Sequence, residues 1–422
     1  MSVLDVYLHK DPVGVLERLD GARLRFAYDP EWLATAEVPI SLSLPLREQP
    51  YEDLDCRPFF TGLLPEGEFL RSIARTFHIS AENPFTVLKE IGGECAGAVS
   101  LATPGSEPPF ASAPPPEWLS DQRLASLLAE LPARPLLSGP EDDEGVRLSL
   151  AGTQDKLPVL IEDGRVGITR GRPPSTHILK VPPAELSDLV ANEAYCMALA
   201  GVVGLSVAPA IPLRTGALDA LLVERYDRIQ RGTEVRRIHQ EDFCQATGRP
   251  PEQKYESEGG PGVAECAALI RAHVAVPGAS LLAFLDALLF NLLIGNADAH
   301  SKNYSLLLES PGAPRLAPLY DLLSTRVYGR RLGRKMGMKY GGEYRPDRVR
   351  GRHLDRLGDD LGIAHRRVRQ HANDMATLAL DSREAARECL PSPRRDDPVV
   401  SAIGEVISEL ADILRRAADE PA

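Results

Sequence analysis

Hydrophobic and polar residues alternate with two different periods along this chain, and the dominant period changes with position. Short apolar runs bounded by turn-forming residues are typical of β-strands, whereas apolar residues at every third or fourth position are typical of amphipathic helices. The runs of the first kind predict strands at residues 3–8, 24–28, 156–162, 165–168, 176–181, 208–213 and 220–226.

The helical period predicts helices at residues 59–79, 84–91, 120–130, 186–199, 263–274, 281–294 and 399–418. Beyond residue 240 helices dominate, so a strand-rich portion is followed by a helix-rich one. This order predicts an α+β chain with two lobes. Residues 103–118 are dense in proline, serine and alanine, which predicts an extended connector between domains.

The predicted domains are therefore residues 1–102, a lobe at residues 119–226 and a helical lobe at residues 227–422. A chain of 422 residues is long enough for two or three domains. Its hydrophobic fraction of 43% and charged fraction of 26% are those of an ordinary globular protein.

The charge balance differs between the whole chain and one segment. The net charge of −12 argues against a chain that binds nucleic acid over its whole surface. Between Arg326 and Arg369, however, fourteen lysines or arginines stand against five acids, a local balance of +9. This basic segment is either a solvated helical face or a surface for phosphate-rich partners.

The six cysteines have no paired metal-ligand spacing, which favours buried thiols in a reducing compartment. The first residues lack the charged start and apolar core of a signal peptide, and no apolar run reaches membrane-spanning length. We therefore expect a cytoplasmic protein that does not associate with membranes.

The segment that carries the most chemistry is residues 295–303, Gly-Asn-Ala-Asp-Ala-His-Ser-Lys-Asn. It follows the apolar run 281–294, so a polar loop emerges from a predicted buried helix. Asp298 followed by Asn303 is the layout of a kinase catalytic loop, in which the acid accepts the proton of the attacking hydroxyl and the amide binds magnesium. Asp321 supplies a second carboxylate where kinases hold the metal that bridges the nucleotide phosphates.

Two other interpretations of this segment remain open. Asn296 and Asp298 could cap an ordinary turn, since both residue types favour such positions. Alternatively, Asp298, His300 and Asp321 could bind a metal ion in a hydrolase site.

Three further segments could contact a nucleotide. Residues 151–153, Ala-Gly-Thr, precede a strand and are small enough for backbone N–H groups to approach a phosphate, although a hairpin turn fits equally well. Lys180 lies in an apolar strand, where a lysine must either extend to the surface or pair. In the kinase interpretation, Lys180 pairs with the phosphates of the nucleotide and Glu193 positions Lys180. Glu193 could equally be a surface residue. Residues 223–228 end a strand and suit an adenine-binding hinge or an ordinary strand end with salt bridges.

Taken together, these segments resemble the HipA family of serine/threonine kinases, over nearly the whole chain. The matching segments are residues 60–67, 92–98, 149–156, 192–196, 224–228, 240–246, 254–256, 259–262, 295–303 and 319–321. The resemblance implies an α+β, bilobal, protein-kinase-like fold with an extra N-terminal α/β subdomain and a largely helical C-lobe.

The resemblance also implies ATP and Mg²⁺ as cofactors and assigns the site residues. Asp298 is the implied catalytic base, Asn303 and Asp321 are the implied magnesium ligands, and Ser149 is the implied site of autophosphorylation. The implied nucleotide-binding residues are Ala151, Gly152, Thr153, Gln154, Asp155, Lys156, Lys180, Glu224, Arg225, Tyr226, His300, Ser301, Lys302, Asn303, Tyr320 and Asp321.

Members of this family act as toxins of type II toxin–antitoxin systems. The resemblance therefore implies a protein substrate, such as an aminoacyl-tRNA synthetase, and a helix-turn-helix antitoxin of the HipB type that binds operator DNA together with the kinase. Two alternative functions are a small-molecule phosphotransferase of kinase-like fold and a transcriptional co-repressor with weak kinase activity. The N-terminal 102 residues argue against the former, and the complete set of Asp298, Asn303 and Asp321 argues against the latter.

Overall fold

A computed structural model of the chain describes residues 2–35, 38–106, 115–131, 148–149, 154–169, 174–186, 188–216, 218–232, 234–309, 314–332 and 334–421, with only the backbone of residues 148, 149, 184 and 330–332. The described helices are α1 Pro30–Thr35, α2 Asp53–Gly62, α3 Gly67–Thr76, α4 Pro84–Ile91, α5 Asp121–Glu130, α6 Leu189–Val202, α7 Phe243–Ala246, α8 Val263–His273, α9 Pro277–Leu293, α10 Gly351–Leu361, α11 His365–Asp381, α12 Arg383–Glu388, α13 Ser392–Arg395 and α14 Pro398–Asp419. The described strands are β1 Ser2–Leu8, β2 Asp11–Arg18, β3 Leu24–Tyr28, β4 Glu94–Cys95, β5 Val99–Ala102, β6 Glu117–Trp118, β7 Leu148–Ser149, β8 Lys156–Glu162, β9 Arg165–Ile168, β10 His177–Lys180, β11 Ala210–Thr215, β12 Leu218–Glu224, β13 Arg228–Arg231, β14 Glu234–Arg237, β15 His239–Asp242, β16 Ser305–Leu308 and β17 Arg315–Leu316.

The chain divides into two compact units. The strand-rich unit comprises Met1–Pro183, Leu213–Pro251 and Leu307–Gly312, and the helical unit comprises Ala184–Pro212, Glu252–Leu306 and Ala313–Ala422. No described helix is both long and apolar enough to cross a lipid bilayer.

The strand-rich unit begins with the antiparallel sheet β3-β2-β1-β5. Alternate residues of its strands face the helices α2, α3 and α4, and the core between them includes Val6, Leu16, Phe26 and Phe60, all fully buried. A second sheet, β11-β12-β10-β8-β9-β6, packs its apolar face against α5. Thus the first 102 residues have a sheet and a core of their own.

The helical region predicted at residues 59–79 consists of parts of two helices, since α2 ends at Gly62 and α3 starts at Gly67. Pro65 disfavours helical geometry at the residue before it, and Gly67 has a left-handed φ of 59°. The chain therefore turns between the two helices.

The helical unit is built around α9, which is apolar on all sides and buried over most of its length. Helices α8 and α11 pack against α9, and α14 packs against α11 with residues four apart, such as Val399, Ile403 and Ile407. Asp397 caps α14 by accepting a hydrogen bond from the Val399 N–H at 3.2 Å. The sequence analysis gave no bounds for α10 and α11, where charged residues interrupt the apolar stripe.

Candidate active site

The polar loop at residues 295–303 leaves α9 through a turn built by two asparagines. Gly295 has a left-handed φ of 65°, which ends the helix. The Asn296 backbone N–H donates to the Asn291 carbonyl at 2.9 Å, and its side-chain amide donates to the Asn291 side-chain oxygen at 2.8 Å. Both side chains are almost completely buried. The loop is therefore fixed to the buried C-terminal end of α9.

Neutral hydrogen bonds fix the backbone of the loop further along. Thr325 donates its hydroxyl to the Gly295 carbonyl at 3.0 Å and accepts from the Ala297 N–H at 2.8 Å. The Asn296 side chain accepts from the Asp298 N–H at 3.1 Å. Gly337 packs on the loop so closely that an added Cβ would lie 2.5 Å from the Ala299 carbonyl oxygen. These contacts set the position of Asp298.

The Asp298 side chain is half exposed, with 48% of its surface accessible to solvent. The Tyr255 hydroxyl donates a hydrogen bond to Asp298 Oδ1. The Tyr255 ring also meets the buried His300 ring edge to face, at 5.0 Å between centroids. An ionised carboxylate accepts several hydrogen bonds, so Asp298 can take a substrate hydroxyl in addition to Tyr255.

The structure brings Asn303 and Asp321 together. The Asn303 side-chain amide donates to Asp321 Oδ2 at 3.2 Å, although the two residues lie 18 positions apart. Asp321 has a φ of 59°, in the left-handed region that non-glycine residues rarely occupy. Such strain persists only where surrounding contacts impose it, and it clusters at active sites.

Asn192 of α6 supplies one of those surrounding contacts. Its fully buried side chain accepts from the Ser324 N–H at 2.8 Å and donates to the Ser324 carbonyl at 2.9 Å. Ser324 lies three residues after Asp321, so Asn192 fixes the chain on which the Asp321 carboxylate is held.

The remaining predicted residues of the loop are buried. Ser301 donates its hydroxyl to the Lys254 carbonyl at 2.9 Å, and the Tyr320 hydroxyl donates to the Lys302 carbonyl at 2.6 Å. His300 donates its backbone N–H to the Asn303 side-chain oxygen at 3.2 Å. The predicted residues between 298 and 303, together with Tyr320 and Asp321, therefore belong to one hydrogen-bonded loop in the helical unit.

The donors at Asn303 and Asp321 fit magnesium better than a transition metal. A carboxylate and an amide oxygen are hard ligands, and Mg²⁺ is usually held by one or two carboxylates together with waters and substrate phosphates. Among the described residues, no group of three or more His, Cys, Asp or Glu is arranged to hold a metal ion. Thus Asp298, His300 and Asp321 do not form the ligand cluster of the hydrolase alternative.

The strand-rich unit contains the other predicted nucleotide residues. Lys180 and Lys156 are cross-strand neighbours in β10 and β8, and Lys180 is only 7% exposed. The Gln154 amide donates to the Val181 carbonyl at 3.1 Å, and the Val181 N–H donates to the Asp155 carbonyl at 3.1 Å. Burial raises the pKa of the Asp155 carboxyl above its ordinary value. Glu193, the predicted positioning acid, lies buried on α6 in the helical unit.

The predicted hinge begins at the end of β12. The Arg225 N–H donates to the Thr176 carbonyl at 2.9 Å, and Glu224 stands opposite His177. Since hydrogen-bonded and non-hydrogen-bonded pairs alternate in an antiparallel ladder, the backbone groups of Glu224 point away from β10. The Tyr226 hydroxyl donates to the Gln240 side chain.

The Arg225 side chain does not extend into solvent but joins a cluster of buried charges. Its guanidinium contacts Glu94 at 3.2 Å and Asp227 at 2.9 Å, and Arg228 contacts the same two acids at 3.0 and 2.7 Å. Burial alone would raise the pKa of Asp227, but Arg225 and Arg228 hold it well below its ordinary value. Asp227 is therefore ionised in the folded chain at neutral pH.

Ala151, Gly152 and Thr153 lie outside the described residues, so their predicted contact with phosphate is untested. Ser149 is described in its backbone alone, in β7, which pairs in parallel with β4. Cys95 is the partner of Ser149, and Glu94 is the partner of Leu148.

Sequence reasoning gave no role to Tyr255, Thr325, Asn192 or Glu94. Tyr255, Asn192 and Glu94 all stood in segments that resemble the family, but no role was inferred for them. Glu94 lies 131 positions from Arg225, and no local pattern reveals such a pairing.

The basic segment between Arg326 and Arg369 is partly neutralised within the helical unit. Arg326 pairs with Glu409 at 2.5 Å, Arg345 with Asp347 at 2.8 Å and Arg369 with Asp355 at 2.8 Å. Other residues of the segment are exposed, namely Arg334, Lys335, Arg348, Arg350, Arg352, Arg356, Arg366 and Arg367.

Comparison with known proteins agrees with this geometry. A family model described as the HipA N-terminal domain matches residues 4–102, and one described as the HipA-like C-terminal domain matches residues 148–382, more than half of the chain. A Sinorhizobium fredii protein named "Putative kinase Y4mE" is 44% identical over 333 residues, which are 78% of each chain.

The serine/threonine-protein kinase toxin HipA of Shewanella oneidensis is 31% identical over 348 residues, 80% of this chain and 78% of that protein. A solved structure of the Shewanella oneidensis MR-1 toxin–antitoxin system, a complex of HipA, HipB and operator DNA, contains a chain that superposes with a TM-score of 0.82 at 27% identity. The match covers 98% of this chain and 97% of that one. The α+β, kinase-like fold is thus shared.

Proposed function

The chain belongs to the HipA family of kinases, and from this premise we propose that it is an ATP- and Mg²⁺-dependent serine/threonine protein kinase acting as the toxin of a toxin–antitoxin pair. One observation carries the proposal: Asn303 and Asp321 meet at 3.2 Å in the helical unit that also fixes Asp298. A base, an amide and a second carboxylate in this order are what phosphoryl transfer requires.

In the proposed reaction, Asp298 accepts the proton of a substrate serine or threonine hydroxyl. The hydroxyl oxygen bonds to the γ-phosphorus of ATP while the bond from that phosphorus to the β–γ bridging oxygen breaks, which releases ADP. Tyr255 holds the carboxylate in place through Oδ1. Asn303 and Asp321 would hold Mg²⁺, which neutralises phosphate charge when it is bound.

The proposed nucleotide contacts come from the strand-rich unit. Lys180 would contact the phosphates, since a buried lysine suits an anionic ligand. The backbone of Glu224 would contact the adenine edge, because its N–H and C=O point away from β10. Arg225 would act indirectly, since its guanidinium is engaged by Glu94 and Asp227.

The direct test is mass spectrometry of the purified chain after incubation with ATP and Mg²⁺. We expect phosphate on Ser149 in the wild type and none in Asp298→Ala. Mixing tagged wild type with Asp298→Ala should place phosphate on Ser149 of the inactive copy, which separates transfer between molecules from transfer within one. Asp359→Asn, an exposed acid on α10, is the control and should behave like the wild type.

We further propose that Ser149 phosphorylation switches the enzyme off. A phosphoserine adds about −1.5 to −2 charges at neutral pH, which would oppose binding of the anionic nucleotide. The modified protein should bind ATP poorly. Normal ATP binding by the modified form would rule out self-silencing and leave the kinase assignment intact.

The protein substrate is proposed to be translation-related, such as an aminoacyl-tRNA synthetase. Phosphoproteomics of cells that express the wild type or Asp298→Ala would identify the substrate. Its phosphorylation sites are those modified in cells with the wild type and unmodified in cells with Asp298→Ala. Phosphate on small molecules alone would favour the small-molecule phosphotransferase instead.

The proposed partner is a helix-turn-helix antitoxin of the HipB type, encoded beside this chain, which carries it to operator DNA. The exposed Arg348, Arg350 and Arg352 are proposed to contact DNA phosphates. Each phosphate contact contributes a slope of about −0.9 to log affinity against log salt. Replacing all three with alanine should flatten that slope for the kinase–antitoxin–operator complex. An unchanged slope would indicate that the three arginines belong to a solvated face and do not contact DNA.

A further inference from the structure

The N-terminal 102 residues contact the predicted hinge through a buried acid, Glu94. Only 3% of Glu94 is exposed, and its carboxylate accepts hydrogen bonds from two different segments of the same unit. Ser175 donates its backbone N–H at 3.3 Å and its hydroxyl at 2.9 Å. Arg225 and Arg228 donate from their guanidinium groups at 3.2 and 3.0 Å.

Each of these segments continues directly into a predicted nucleotide contact. Ser175 lies just before β10, the strand that carries Lys180. Arg225 lies between Glu224 and Tyr226 of the hinge, and its guanidinium also bonds the Ser175 hydroxyl at 2.9 Å. Glu94 therefore ties the lysine strand to the hinge.

The backbone of the same residue reaches the strand that carries Ser149. Glu94 and Cys95 form β4, which pairs in parallel with Leu148 and Ser149 of β7. One short segment of the N-terminal domain thus contacts the hinge, Ser175 just before β10 and the strand that precedes the predicted phosphate loop.

The neighbouring Gly97 fixes the segment from the other side. Its N–H donates to Asp227 at 2.7 Å, and its carbonyl accepts from Arg237 at 2.8 Å and from Arg228 at 3.1 Å. Its φ is 72°, and an added Cβ would lie 2.6 Å from the Gln240 backbone nitrogen. Only glycine fits this position, so the segment has little freedom to move relative to the hinge.

We propose that Glu94 is a positioning residue for ATP: through it, residues 94–97 of the N-terminal domain set the relative placement of the hinge, the Lys180 strand and the Ser149 strand. The N-terminal domain is then part of the nucleotide-binding machinery and not an appended module. This inference rests on the proposed kinase function. It predicts that weakening the hydrogen bonds of Glu94 impairs nucleotide binding more than the chemical step.

The chain contains a matched control for the contacts of Glu94. Glu241 is also a fully buried acid that ties the first 102 residues to the rest of the unit, accepting from the Ser41 hydroxyl at 2.6 Å and the Leu42 N–H at 2.9 Å. Its carboxylate bonds only this segment among the described contacts. Glu94 with Ser175 and Glu241 with Ser41 are therefore both buried acid–serine pairs, and only Glu94 also contacts the arginines of the hinge.

The experiment compares Glu94→Gln and Ser175→Ala with Glu241→Gln and Ser41→Ala in the full chain. Binding of a fluorescent ATP analogue is measured first, and then KM for ATP and kcat for transfer to Asp298→Ala protein. Because a hydrogen bond to a charged group is lost or weakened, Glu94→Gln should raise KM for ATP by about tenfold or more, with kcat within about twofold. Ser175→Ala should shift KM in the same direction by less, Glu94→Asp should recover part of the loss, and both control variants should keep the wild-type KM.

An unchanged KM in Glu94→Gln, or equal increases in the test and control pairs, would overturn the inference. If Glu94→Gln does not fold, Ser175→Ala against Ser41→Ala decides the question. A wild type that binds ATP without transferring phosphate would refute the proposed function, while the binding comparison would still test the role of Glu94.

Discussion

The two units fix their parts of the predicted site in different ways. In the strand-rich unit, five buried charges (Glu94, Arg225, Asp227, Arg228 and Arg237) surround the hinge, and each is at most 7% exposed. In the helical unit, the uncharged side chains of Asn192, Asn291, Asn296 and Thr325 fix the backbone that carries Asp298 and Asp321.

The difference has a physical consequence. Buried ions are stable only while every partner is present, because an unpaired buried charge is expensive. Amides and hydroxyls also satisfy backbone groups, and removing one of these side chains lowers stability less than removing a buried charge. They also add no charge beside the catalytic acids. We therefore expect removal of a charge to lower the stability of the strand-rich unit more than removal of an amide lowers that of the helical unit, where the main effect should be on catalysis.

Among the variants that test this difference between the units, Asp227→Ala should have the largest effect on stability. It leaves Arg225 and Arg228 with Glu94 as their remaining acid partner in the described cluster, so we expect a loss of about 3–5 kcal/mol in unfolding free energy at pH 7. The folded-state pKa of Asp227 lies below its ordinary value of 3.8, so its contribution is present above that pH and fades as the pH falls below it. Urea denaturation at pH 7 measures the loss. A loss of less than about 1 kcal/mol would show that the buried ion cluster does not stabilise this unit.

Glu241 should show the opposite dependence on pH. Burial raises its pKa from 4.5 to about 8, although hydrogen bonds from Ser41 and Leu42 act against the shift. Between these values the folded chain holds a proton that the unfolded chain lacks, so stability falls as pH rises, by up to about 1.4 kcal/mol per unit. Glu241→Gln should remove this fall when unfolding is compared at pH 5.5 and 7.5, and an unaltered slope would mean that the carboxyl is ionised when folded.

The predicted chemistry followed from local sequence where its residues were close together. Asn303 and Asp321 lie only 18 positions apart, and this kinase-like spacing predicted that they act together. The anchors around them come from distant segments: Tyr255 from residue 255 and Asn192 from another helix. Because hydrogen bonds between distant residues leave no periodicity, these anchors could be found only in the folded chain.

The fold shows the same division. Strands with alternating residues and apolar helices such as α9 were predicted, since their periods reflect burial directly. The bounds of α10 and α11 were not predicted because charged residues interrupt their apolar stripes, and the turn at Pro65 within the predicted helical region was not placed although proline signalled it. Pairing of β4 with β7 involves two residues on each strand, too few for any pattern.

Asn192→Ala tests the helical unit at its buried amide. The Ser324 N–H and carbonyl would both lose their partner, so we expect a loss of about 1–3 kcal/mol in stability together with lower kcat. Metal dependence should also weaken, because Ser324 is three residues from Asp321. A stability loss with unaltered kcat and unaltered Mg²⁺ dependence would show that Asn192 only supports the fold. Asn373→Ala, at an exposed asparagine on α11, is the control.

Tyr255→Phe should have the smallest effect. It removes one hydrogen bond to a carboxylate that water also reaches, so kcat should fall roughly threefold to tenfold with little change in stability. Tyr344→Phe in the same unit is the control. A fall in stability as large as that in activity would assign Tyr255 to the fold instead of the base.

The most direct test of the account compares Asp298→Ala with Asp321→Ala for both ATP binding and phosphoryl transfer, at several Mg²⁺ concentrations. Positioning and charge neutralisation supply most of the catalysis in this chemistry, so both variants should lose transfer to Ser149 while they stay folded. Asp298→Ala should bind ATP like the wild type, and Asp321→Ala should bind it more weakly and gain nothing from added Mg²⁺. Transfer by Asp298→Ala at the wild-type rate, or wild-type Mg²⁺-dependent binding by Asp321→Ala, would contradict the assigned roles.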